Sequence, residues 1–502
     1  MKDGAIIASV DLGSNSFHML VARVQAGQLQ VVDRMKEMVR LAGGLDKYGY
    51  LSEGAMERGV ACLERFGQRL SGMPRGRVRI VGTNTLRAAK NGQEFIKRAQ
   101  KAIGHPIEII AGREEARLVY LGVAHSDTPV DGNRLVVDIG GGSTEIIIGD
   151  QFEPVQMESA PLGCVRFTRD FFADGQYKEA QMLRAERRAE LELLSYQSAF
   201  RAMGWRRALG SSGTARSLGA VGAANGWGDG SLTMGVLDEI RHAVLQAGKE
   251  KKLALPGLSE DRRPVFVGGL VAMRAIFQAL NIERMDIAEG ALREGLIFDF
   301  LERETVDDIR NQTVKRLQTL FNVDQQHASR VAQTAARLWS QVAEQWQQDE
   351  EDPVHMPVRA WLDMAARLHE IGLAISHSGY HHHGAYVLQA ADMPGLTRES
   401  QQIVATLVHA HRRKFKPARF ELIEPDMRLL AMRLSVILRL SVLLHRDRKK
   451  DADTTVLSLN ADGDALGLAF APGWLAASPL TVADLEREQD YLAGCGFQLT
   501  FA

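Results

Sequence analysis

Short β-branched runs and longer stretches of helical spacing alternate along the first part of the chain. Apolar runs at residues 29–34, 78–81 and 107–110 predict strands, whereas the apolar positions of residues 51–70 and 95–103 recur with the period of amphipathic helices. Strands that alternate with helices are typical of an α/β sheet, which binds its ligands at the strand ends. This part of the sequence therefore predicts an α/β domain.

The hydrophobic pattern changes twice further along the chain. Strands and helices continue to alternate to about residue 303, with predicted helices at residues 178–202 and 265–279. The apolar positions of residues 306–445 have a helical period almost throughout, and the last stretch predicts a hairpin, a helix and a closing strand. We predict four domains, which are α/β at residues 1–125 and 126–305, all-α at residues 306–450, and small α+β at residues 451–502.

Composition indicates a globular protein of ordinary charge. The 502 residues carry a net charge of −1, with 45% hydrophobic and 25% charged residues, so no bulk field attracts nucleic acid and no such partner is expected. Three widely spaced cysteines argue against a disulfide framework and for a reducing compartment. The N-terminus has no signal-peptide pattern and no run approaches about 18 apolar residues. We therefore expect a cytoplasmic protein, with peripheral association at the inner face of the membrane left open.

A glycine-rich hairpin at residues 136–150 is the strongest chemical signal. Two apolar runs flank three consecutive glycines (140–142), whose backbone N–H groups can approach a phosphate closely. Asp138 and Glu145 bracket the turn and could hold a divalent cation beside the phosphate oxygens. Taken alone, the hairpin could equally be an ordinary glycine-rich turn.

The same pattern occurs a second time near the N-terminus. Residues 9–21 have the same layout of strand, loop and strand, and a third glycine loop follows at residues 209–214. The aligned pairs of the two strand–loop–strand segments are Asp11 with Asp138, Leu12 with Ile139, Gly13 with Gly140 and Ser16 with Ser143. The repeat predicts a duplicated α/β domain, with one phosphate loop from each half and the ligand in the cleft between the halves.

Charged residues near the predicted strand ends are candidates for phosphoryl-transfer chemistry. Glu114 and Glu115 follow a strand, where one of them could activate water, but acids in the first turn of a helix also interact favourably with its dipole. Arg87 follows another strand and is either a phosphate ligand or an exposed loop residue. Arg262 either lines the cleft or is solvated. Cys164 is more readily a small buried residue than a nucleophile, because no histidine lies near it in sequence.

Histidines and basic residues are concentrated in the helical region. The histidines between residues 369 and 411 could form a metal centre, although a polar helix surface with a histidine-rich loop is the simpler interpretation. Basic residues follow at 412–416 and 446–450. In a protein of near-zero net charge they could form a track for a long anionic polymer.

Five motifs together resemble the exopolyphosphatase and guanosine pentaphosphate phosphohydrolase family, in its long, bacterial, four-domain form. The motifs are residues 11–18, 112–117, 138–145, 213–214 and 290–295. The resemblance runs essentially from end to end. It implies the duplicated α/β fold shared by actin, the sugar kinases and the Hsp70 ATPase, followed by an all-α domain similar to HD phosphohydrolases and a small α+β domain.

The resemblance also implies an activity and the residues that carry it. It implies processive release of the terminal phosphate of inorganic polyphosphate, with Mg²⁺ and with K⁺ as a stimulant. Glu115 matches the catalytic base of the family, and Asp11, Asp138 and Glu145 are the metal-associated acids. The predicted substrate-binding residues are Gly13, Ser14, Asn15, Ser16, Arg87, Gly140, Gly141, Gly142, Ser143, Thr144, Cys164, Gly213, Thr214 and Arg262.

Two activities compete within this family. The glycine triplet and residues 377–383 favour the exopolyphosphatase branch, so inorganic polyphosphate is the expected substrate and the 5′ γ-phosphate of guanosine pentaphosphate the alternative. A kinase of the same fold is a rival of a different class, and a water-activating Glu115 argues against it.

The C-terminal domains are expected to hold the polymer. In the family the long form is a homodimer with a polyphosphate channel, and the residues that we assign to its lining are His377, His382, Arg412, Arg413 and Lys414. HD phosphohydrolases have adjacent His-Asp metal ligands, where this chain has His369 and Glu370. The difference argues against a second metal-dependent active site, so we assign the helical domain to substrate holding and dimerisation.

Overall fold

The computed structural model describes residues 4–25, 28–128, 131–302, 309–346, 358–448 and 456–502. The chain divides into two compact units, Met1–Val306 and Asp307–Ala502, and each is described by itself. The predicted linker proline, Pro129, and the predicted domain boundaries at 305–306 and 450–451 lie outside the described residues. The division into four domains stays a prediction.

The first half of the first unit is a five-stranded mixed sheet with four helices. The strands are β1 (Ile6–Leu12), β2 (Phe17–Gln25), β3 (Gln28–Glu37), β4 (Val78–Gly82) and β5 (Glu108–Ile109). The helices are α1 (Glu53–Leu70), α2 (Asn84–Ala88), α3 (Gly92–Ile103) and α4 (Gly112–Ser126). The strand order is β3-β2-β1-β4-β5, in which β1 pairs antiparallel with β2 and parallel with β4.

The second half repeats this arrangement. Its strands are β6 (Arg134–Ile139), β7 (Thr144–Asp150), β8 (Glu153–Ala160), β9 (Arg207–Ser211) and β10 (Asp286–Ile287). Its helices are α5 (Cys164–Phe172), α6 (Glu179–Leu193), α7 (Gln197–Met203), α8 (Ser212–Ala224), α9 (Met234–Ala247), α10 (Arg263–Leu280) and α11 (Leu292–Glu302). The strand order β8-β7-β6-β9-β10 has the same pattern of antiparallel and parallel pairs, so the predicted duplication is confirmed.

One helical prediction in this half is wrong in detail. Residues 178–202 form two helices, α6 and α7, because the backbone departs from the helical conformation at Tyr196, the N-cap of α7, where φ is −122°. The break redirects the chain while Leu193 and Phe200 remain buried in the same hydrophobic core.

A helix from each half packs against the sheet of the other half. Helix α4 of the first half packs on β7 and β8, and α11 of the second half packs on β1 and β2. Ile297 of α11 joins the apolar cluster of the first sheet, and Asp299 forms buried ion pairs with Arg79 of β4 and Arg117 of α4. These helix–sheet contacts and buried ion pairs therefore hold the two walls of the cleft together.

Helix α10 has the length and composition of a membrane-spanning segment, and it is the one such helix in the described ranges. Most of the helix is buried inside the unit, from Phe266 to Leu280, where it packs against α5 and α6. Core helices of globular domains pass the same test of length and apolarity.

The second unit is a helical domain with a small sheet. Its helices are α12 (Ile309–Leu320), α13 (Gln325–Val342), α14 (Val358–Leu368), α15 (Tyr380–Ala390), α16 (Arg398–Ala410), α17 (Arg428–Leu444), α18 (Trp474–Ala477) and α19 (Pro479–Ala493). Its strands are β11 (Val456–Asp462), β12 (Ala465–Phe470) and β13 (Gln498–Phe501), in that order in the sheet. One apolar cluster runs from α13 and α17 to the sheet, and buried Arg439 of α17 pairs with Glu488 of α19.

Candidate active site

The two glycine loops meet at a cavity of about 410 Å³ between the halves of the first unit. A Cβ atom built on Gly141 would lie 2.7 Å from the Cβ of Ser14 and 3.5 Å from the backbone nitrogen of Asn15. Glycine at this position lets the second loop reach the first without a collision. The predicted convergence of the two loops is confirmed by this contact.

Strand register confirms how the two loops align and also shows where they differ. In the first hairpin Asp11 pairs with His18, and in the second Asp138 pairs with Glu145. The position of the second acid is therefore occupied by a histidine in the first half. The Nε2 atom of His18 lies 2.8 Å from the Oγ of Ser16. The site is thus asymmetric, with the pair of acids on the second half alone.

Four carboxylates, those of Asp11, Glu115, Asp138 and Glu145, line the cavity. Burial and the charge of Glu115 raise the pKa of Asp11 to about 8 and that of Asp138 to about 6. Burial and the neighbouring charges of Glu115 and Asp138 also raise the pKa of Glu145 well above its usual value. Buried acids that repel one another in this way are typical of a cation site or of acid–base chemistry.

The carboxylate set fits a hard divalent cation. Oδ1 of Asp11 is buried without a hydrogen-bond partner in the described part of the chain. One oxygen of Glu145 accepts a hydrogen bond from the Ser159 hydroxyl at 2.8 Å, which orients the carboxylate. Mg²⁺ prefers oxygen ligands and few carboxylates, so Asp11, Asp138 and Glu145 are suitable ligands.

The two adjacent glutamates at the start of α4 have different environments. Glu115 faces the cavity, where its Oε2 lies 2.8 Å from Nη1 of Arg87. Glu114 points the other way and forms two bonds of 2.9 Å with Arg117 inside the buried ion network of Asp299. Glu115 is therefore available for chemistry at the cavity, whereas Glu114 stabilises the fold.

Arg87 lies behind the cavity wall. Its Nη1 donates to the carbonyl oxygen of Ile110 and to Glu115, each at 2.8 Å. The guanidinium therefore orients Glu115 before any ligand arrives. A direct contact between Arg87 and phosphate stays a prediction.

Backbone groups of the second loop connect it to the start of α5. The N–H groups of Cys164 and Val165 donate to the carbonyl oxygens of Gly140 and Gly141, each at 2.9 Å. A Cβ at Gly142 would lie 2.2 Å from Oδ1 of Asn84, so glycine is required for this close approach. The loop is thereby held in one conformation.

Most of the predicted substrate-binding residues line the cavity. They are Gly13, Ser14, Asn15, Ser16, Gly140, Gly141, Ser143, Cys164, Gly213 and Arg262. Asn15 has a buried amide nitrogen, Nδ2, without a partner among the described residues, which suits it to donate to a ligand oxygen.

Four predicted contacts, Arg87, Gly142, Thr144 and Thr214, lie outside the lining of the cavity. The Thr144 hydroxyl donates to the carbonyl oxygen of Leu162, and the Thr214 hydroxyl donates to that of Ile139 at 3.0 Å. Both hydroxyls therefore hold neighbouring segments together, and their contact with substrate stays a prediction.

The third glycine segment is not a loop. Gly210 lies in β9 and Gly213 in the first turn of α8, with Ser212 between them at φ +77°. The position that a Cβ of Gly213 would occupy is filled by the guanidinium of Arg262. The absence of a side chain at Gly213 thus leaves room for the Arg262 guanidinium beside the cavity.

Burial explains the role of Cys164. The side chain is buried, and burial raises the pKa of its thiol above the usual value. A thiol with a raised pKa is a poor nucleophile at neutral pH. The sequence interpretation of Cys164 as a small buried residue agrees with this environment.

A group of cations that the sequence analysis did not single out faces the acids. The cavity is lined by Arg34, Lys36, Arg216 and Arg293 in addition to Arg262. Burial and the charges of Arg293, Lys36, Arg262 and Arg216 lower the pKa of His18 to about 3, so this imidazole is neutral. Of these cations, only Arg293 carried a sequence signal, because it lies in the motif at residues 290–295.

The second unit contains some of the residues predicted for a polymer channel. His377, Arg412 and Arg413 line a cavity of about 300 Å³ there. His382 is outside this cavity and its Nδ1 lies 2.8 Å from Nε2 of His409, while Lys414 is exposed and also outside it. The assignment of these residues to a channel stays a prediction.

Comparison with protein families decides the relationship of the chain. Residues 20–304 match the model of the family described as "Ppx/GppA phosphatase family". Residues 309–489 match the model described as "Ppx/GppA phosphatase, domain III". The chain belongs to the Ppx/GppA phosphatase family. It is therefore a hydrolase of phosphoric anhydrides, as the sequence resemblance implies.

Relatives of this family cover nearly the whole chain. The chain is 39% identical over 488 residues to a protein of Aeromonas hydrophila named guanosine-5′-triphosphate,3′-diphosphate pyrophosphatase, with 97% of each chain covered. A protein of Pseudoalteromonas translucida with the same name is 38% identical over 499 residues, with 98% of each covered.

A solved structure agrees with the fold of the first unit. A crystal structure of an exopolyphosphatase from Cytophaga hutchinsonii has a TM-score of 0.55 and 25% identity, and the match covers 60% of this chain and 99% of that one. Together with the strand order of the two sheets, it confirms the predicted duplicated, actin-like α/β fold. The domain III match and the described helices confirm the helical region that follows.

Proposed function

We propose that the cavity of the first unit hydrolyses the 5′ γ-phosphate of guanosine pentaphosphate and releases inorganic phosphate. The observation that carries this proposal is the name shared by two relatives that are 39% and 38% identical over nearly the full chain. This reverses the order of the sequence analysis, in which inorganic polyphosphate was the expected substrate and guanosine pentaphosphate the alternative.

The acids and cations of the cavity divide the chemistry between them. Phosphoryl transfer to water requires positioned water and neutralised phosphate oxygens. Arg87 lies 2.8 Å from Glu115 and orients this carboxylate. Glu115 accepts a proton from the attacking water while the oxygen of that water bonds to the terminal phosphorus. The bond from that phosphorus to the bridging oxygen breaks, and the electron pair leaves with the shortened guanosine nucleotide.

A divalent cation completes the charge balance of this scheme. Asp11, Asp138 and Glu145 would hold Mg²⁺, which when bound neutralises charge on the phosphate oxygens. Stimulation by K⁺ is a further expectation of the same proposal, as are a homodimer and a cytoplasmic location.

The cationic wall supports a substrate with more than one phosphate group. Arg34, Lys36, Arg216, Arg262 and Arg293 exceed what one terminal phosphate needs. Guanosine pentaphosphate carries a 5′-triphosphate and a 3′-diphosphate, so the additional cations are suited to its second phosphorylated group. GTP lacks that group and serves as a matched control ligand.

Inorganic polyphosphate is the second candidate substrate. It ends in the same phosphoanhydride bond, and the structure with a TM-score of 0.55 to this chain is that of a protein named exopolyphosphatase. The cations of the cavity would bind a linear chain of phosphates by the same contacts.

Phosphate release from three substrates tests the proposal. The full chain is assayed with guanosine pentaphosphate, GTP and long-chain polyphosphate under equal Mg²⁺. We expect the highest kcat/KM with guanosine pentaphosphate and release that needs no acceptor other than water. A higher kcat/KM with polyphosphate would favour the second candidate, and a requirement for an acceptor hydroxyl would identify a kinase.

A further inference from the structure

Three potential metal ligands lie together in the second unit, in a place that the proposed function does not use. His327, His369 and Glu370 are all buried, and each offers one ligand atom within 4.8 Å of the other two. His327 lies in the first turn of α13, and the other two residues follow the end of α14. The sequence separates His327 from the pair by more than forty positions, so only the fold forms this cluster.

The ring nitrogens of the cluster are arranged as those of metal ligands are. Nδ1 of His369 lies 2.7 Å from the carbonyl oxygen of Ala366, to which it donates, and this leaves Nε2 as the lone-pair nitrogen. That Nε2 is buried and has no partner in the described ranges, and neither has Nδ1 of His327. Histidine ligands characteristically donate their other N–H to a carbonyl or carboxylate. Buried nitrogens without partners are rare unless something binds them.

Glu370 adds a carboxylate that is already oriented. Its Oε1 accepts a hydrogen bond from Nη2 of Arg448 at 2.5 Å. A carboxylate has two oxygens, so Oε2 can ligate an ion while Arg448 holds the group in place. The result is two imidazoles and one oriented carboxylate around one point.

The cluster lies in the wall of an arginine-rich cavity. The cavity of about 300 Å³ is lined by all three candidate ligands, by Arg412, Arg413, Arg446, Arg448 and Arg487, and by two acids, of which Asp484 pairs with Arg446 and Glu488 pairs with Arg439. The guanidinium of Arg412 lies 4.3 Å from the centre of the Tyr380 ring, which holds it at the cavity. Arginine recognises phosphate through paired hydrogen bonds.

We propose that His327, His369 and Glu370 bind a divalent transition-metal ion, with Zn²⁺ as the best fit, and that the arginines place a phosphate-bearing anion at its open coordination position. Two imidazoles and a carboxylate with a free position suit Zn²⁺ better than Mg²⁺, which prefers oxygen ligands. The site is chemically distinct from the carboxylate cluster of the first unit. A metal here departs from the sequence expectation, in which Glu370 in place of the HD aspartate argues against a second metal-dependent active site, because a glutamate oxygen can ligate an ion as an aspartate oxygen does.

Substitution of Co²⁺ tests the metal site in the full chain. Co²⁺ bound by imidazoles in a site of low coordination gives intense visible absorption, whereas Co²⁺ at an all-oxygen octahedral site gives weak bands, so the two units are distinguishable. We expect a saturable visible band that Zn²⁺ abolishes by competition. His369→Gln and Glu370→Gln should each lose the band, and thermal melts should confirm that each variant is folded.

His382→Gln is the matched control. His382 and His409 form an exposed pair with 2.8 Å between their nitrogens, and such a pair could bind metal adventitiously. The proposal requires the band to persist in His382→Gln and to disappear in Glu370→Gln. A band that disappears in His382→Gln, or persists in Glu370→Gln, would overturn the assignment, as would the absence of any band in the folded wild type.

Inorganic phosphate tests the anion part of the proposal. Phosphate added to the Co²⁺-loaded protein should shift the visible band, because an oxygen of the anion enters the coordination sphere. The double variant Arg412→Gln, Arg413→Gln should retain the band and require at least tenfold more phosphate for the shift. No shift in the wild type, or equal phosphate sensitivity in both proteins, would disprove the role of the arginines.

Discussion

Nη1 of Arg87 lies 2.8 Å from Oε2 of Glu115, at the junction of the strand ends and the cleft. The residue expected to activate water is therefore held by the residue expected to touch phosphate. The same nitrogen also donates to the carbonyl oxygen of Ile110 at 2.8 Å. The contact orients Glu115 in the absence of a ligand, and the predicted contact of Arg87 with phosphate stays a prediction.

Glu115→Gln should abolish most of the activity. The amide keeps the shape of the side chain but cannot accept a proton, and general-base catalysis typically contributes about 10²–10⁴-fold. We expect a loss of that order in kcat, measured as phosphate release from guanosine pentaphosphate, with a small change in KM.

Glu114→Gln is the control for this substitution. It changes the same residue type one position earlier, inside the buried network with Arg117 and Asp299. Removing one charge from a buried ion pair destabilises a protein by about 3–5 kcal/mol. This variant should lower the Tm while the folded enzyme keeps its kcat, and the reverse pattern for the two variants would reassign the base.

Gly141→Ala should disturb the contact between the two loops. Its methyl group would lie 2.7 Å from Cβ of Ser14, closer than carbon atoms can approach, and 3.3 Å from Cγ2 of Val165, which is a tight contact. Overpacking of this kind costs about 1–3 kcal/mol and moves the loops apart. We expect a lower Tm and a lower kcat, measured by thermal melts and phosphate release.

Gly43→Ala provides the comparison for Gly141→Ala. A Cβ at Gly43 would meet no atom within 4 Å. This variant should behave like the wild type in both measurements. Equal behaviour of the two variants would show that the Gly141 contact does not matter to the site.

Arg262→Ala should weaken substrate binding, whereas Arg263→Ala should not. Arg262 lines the cavity beside Gly213, and Arg263 forms an ion pair with Glu260 outside it. A hydrogen bond to a charged group contributes about 1.5–3 kcal/mol, which is roughly 10- to 100-fold in affinity. Steady-state kinetics should show a KM raised by that order for Arg262→Ala. A similar rise for Arg263→Ala would indicate a general charge effect.

The acid cluster predicts how stability depends on pH without a divalent cation. Burial and Glu115 raise the pKa of Asp11 to about 8, so the folded protein retains a proton there that the unfolded chain has already lost. Stability must then fall as pH rises towards about 8. Below about pH 6.5 the buried histidines, whose pKa values are lowered, act in the opposite direction, because they are neutral in the folded protein and gain a proton on unfolding, so their effect is that stability rises with pH.

Thermal melts with a chelator isolate the effect of Asp11. Between about pH 6.5 and about 8 the histidines are neutral in both states, so the fall in Tm over this range should come from the buried acids with raised pKa values, Asp11 and Glu145, and the part that Asp11→Asn removes is due to Asp11. Asp11→Asn should flatten the curve, and Mg²⁺ should restore the Tm of the wild type. A Tm that rises over this range in the wild type would contradict the raised pKa.

The sequence determined the parts of the fold that depend on local pattern. The repeated strand–loop–strand segments predicted the duplication and the alignment of Asp11 with Asp138, because β periodicity and glycine turns are local properties. Motif resemblance supplied Glu115, which spacing alone could not separate from Glu114. The direction in which each side chain points depends on the helix packing that follows.

Only the tertiary structure decided which residues share a site. Arg34 and Lys36 lie together on β3, but Arg216 lies on α8 and Arg293 on α11, and only the packing of the two halves brings all four to one cavity. The cluster of His327 with His369 and Glu370 arises in the same way, from contact between α13 and the end of α14. The hydrophobic periodicity of an element shows which of its faces is buried. Which charged groups meet in one site depends on the packing of distant elements, and no local pattern contains that information.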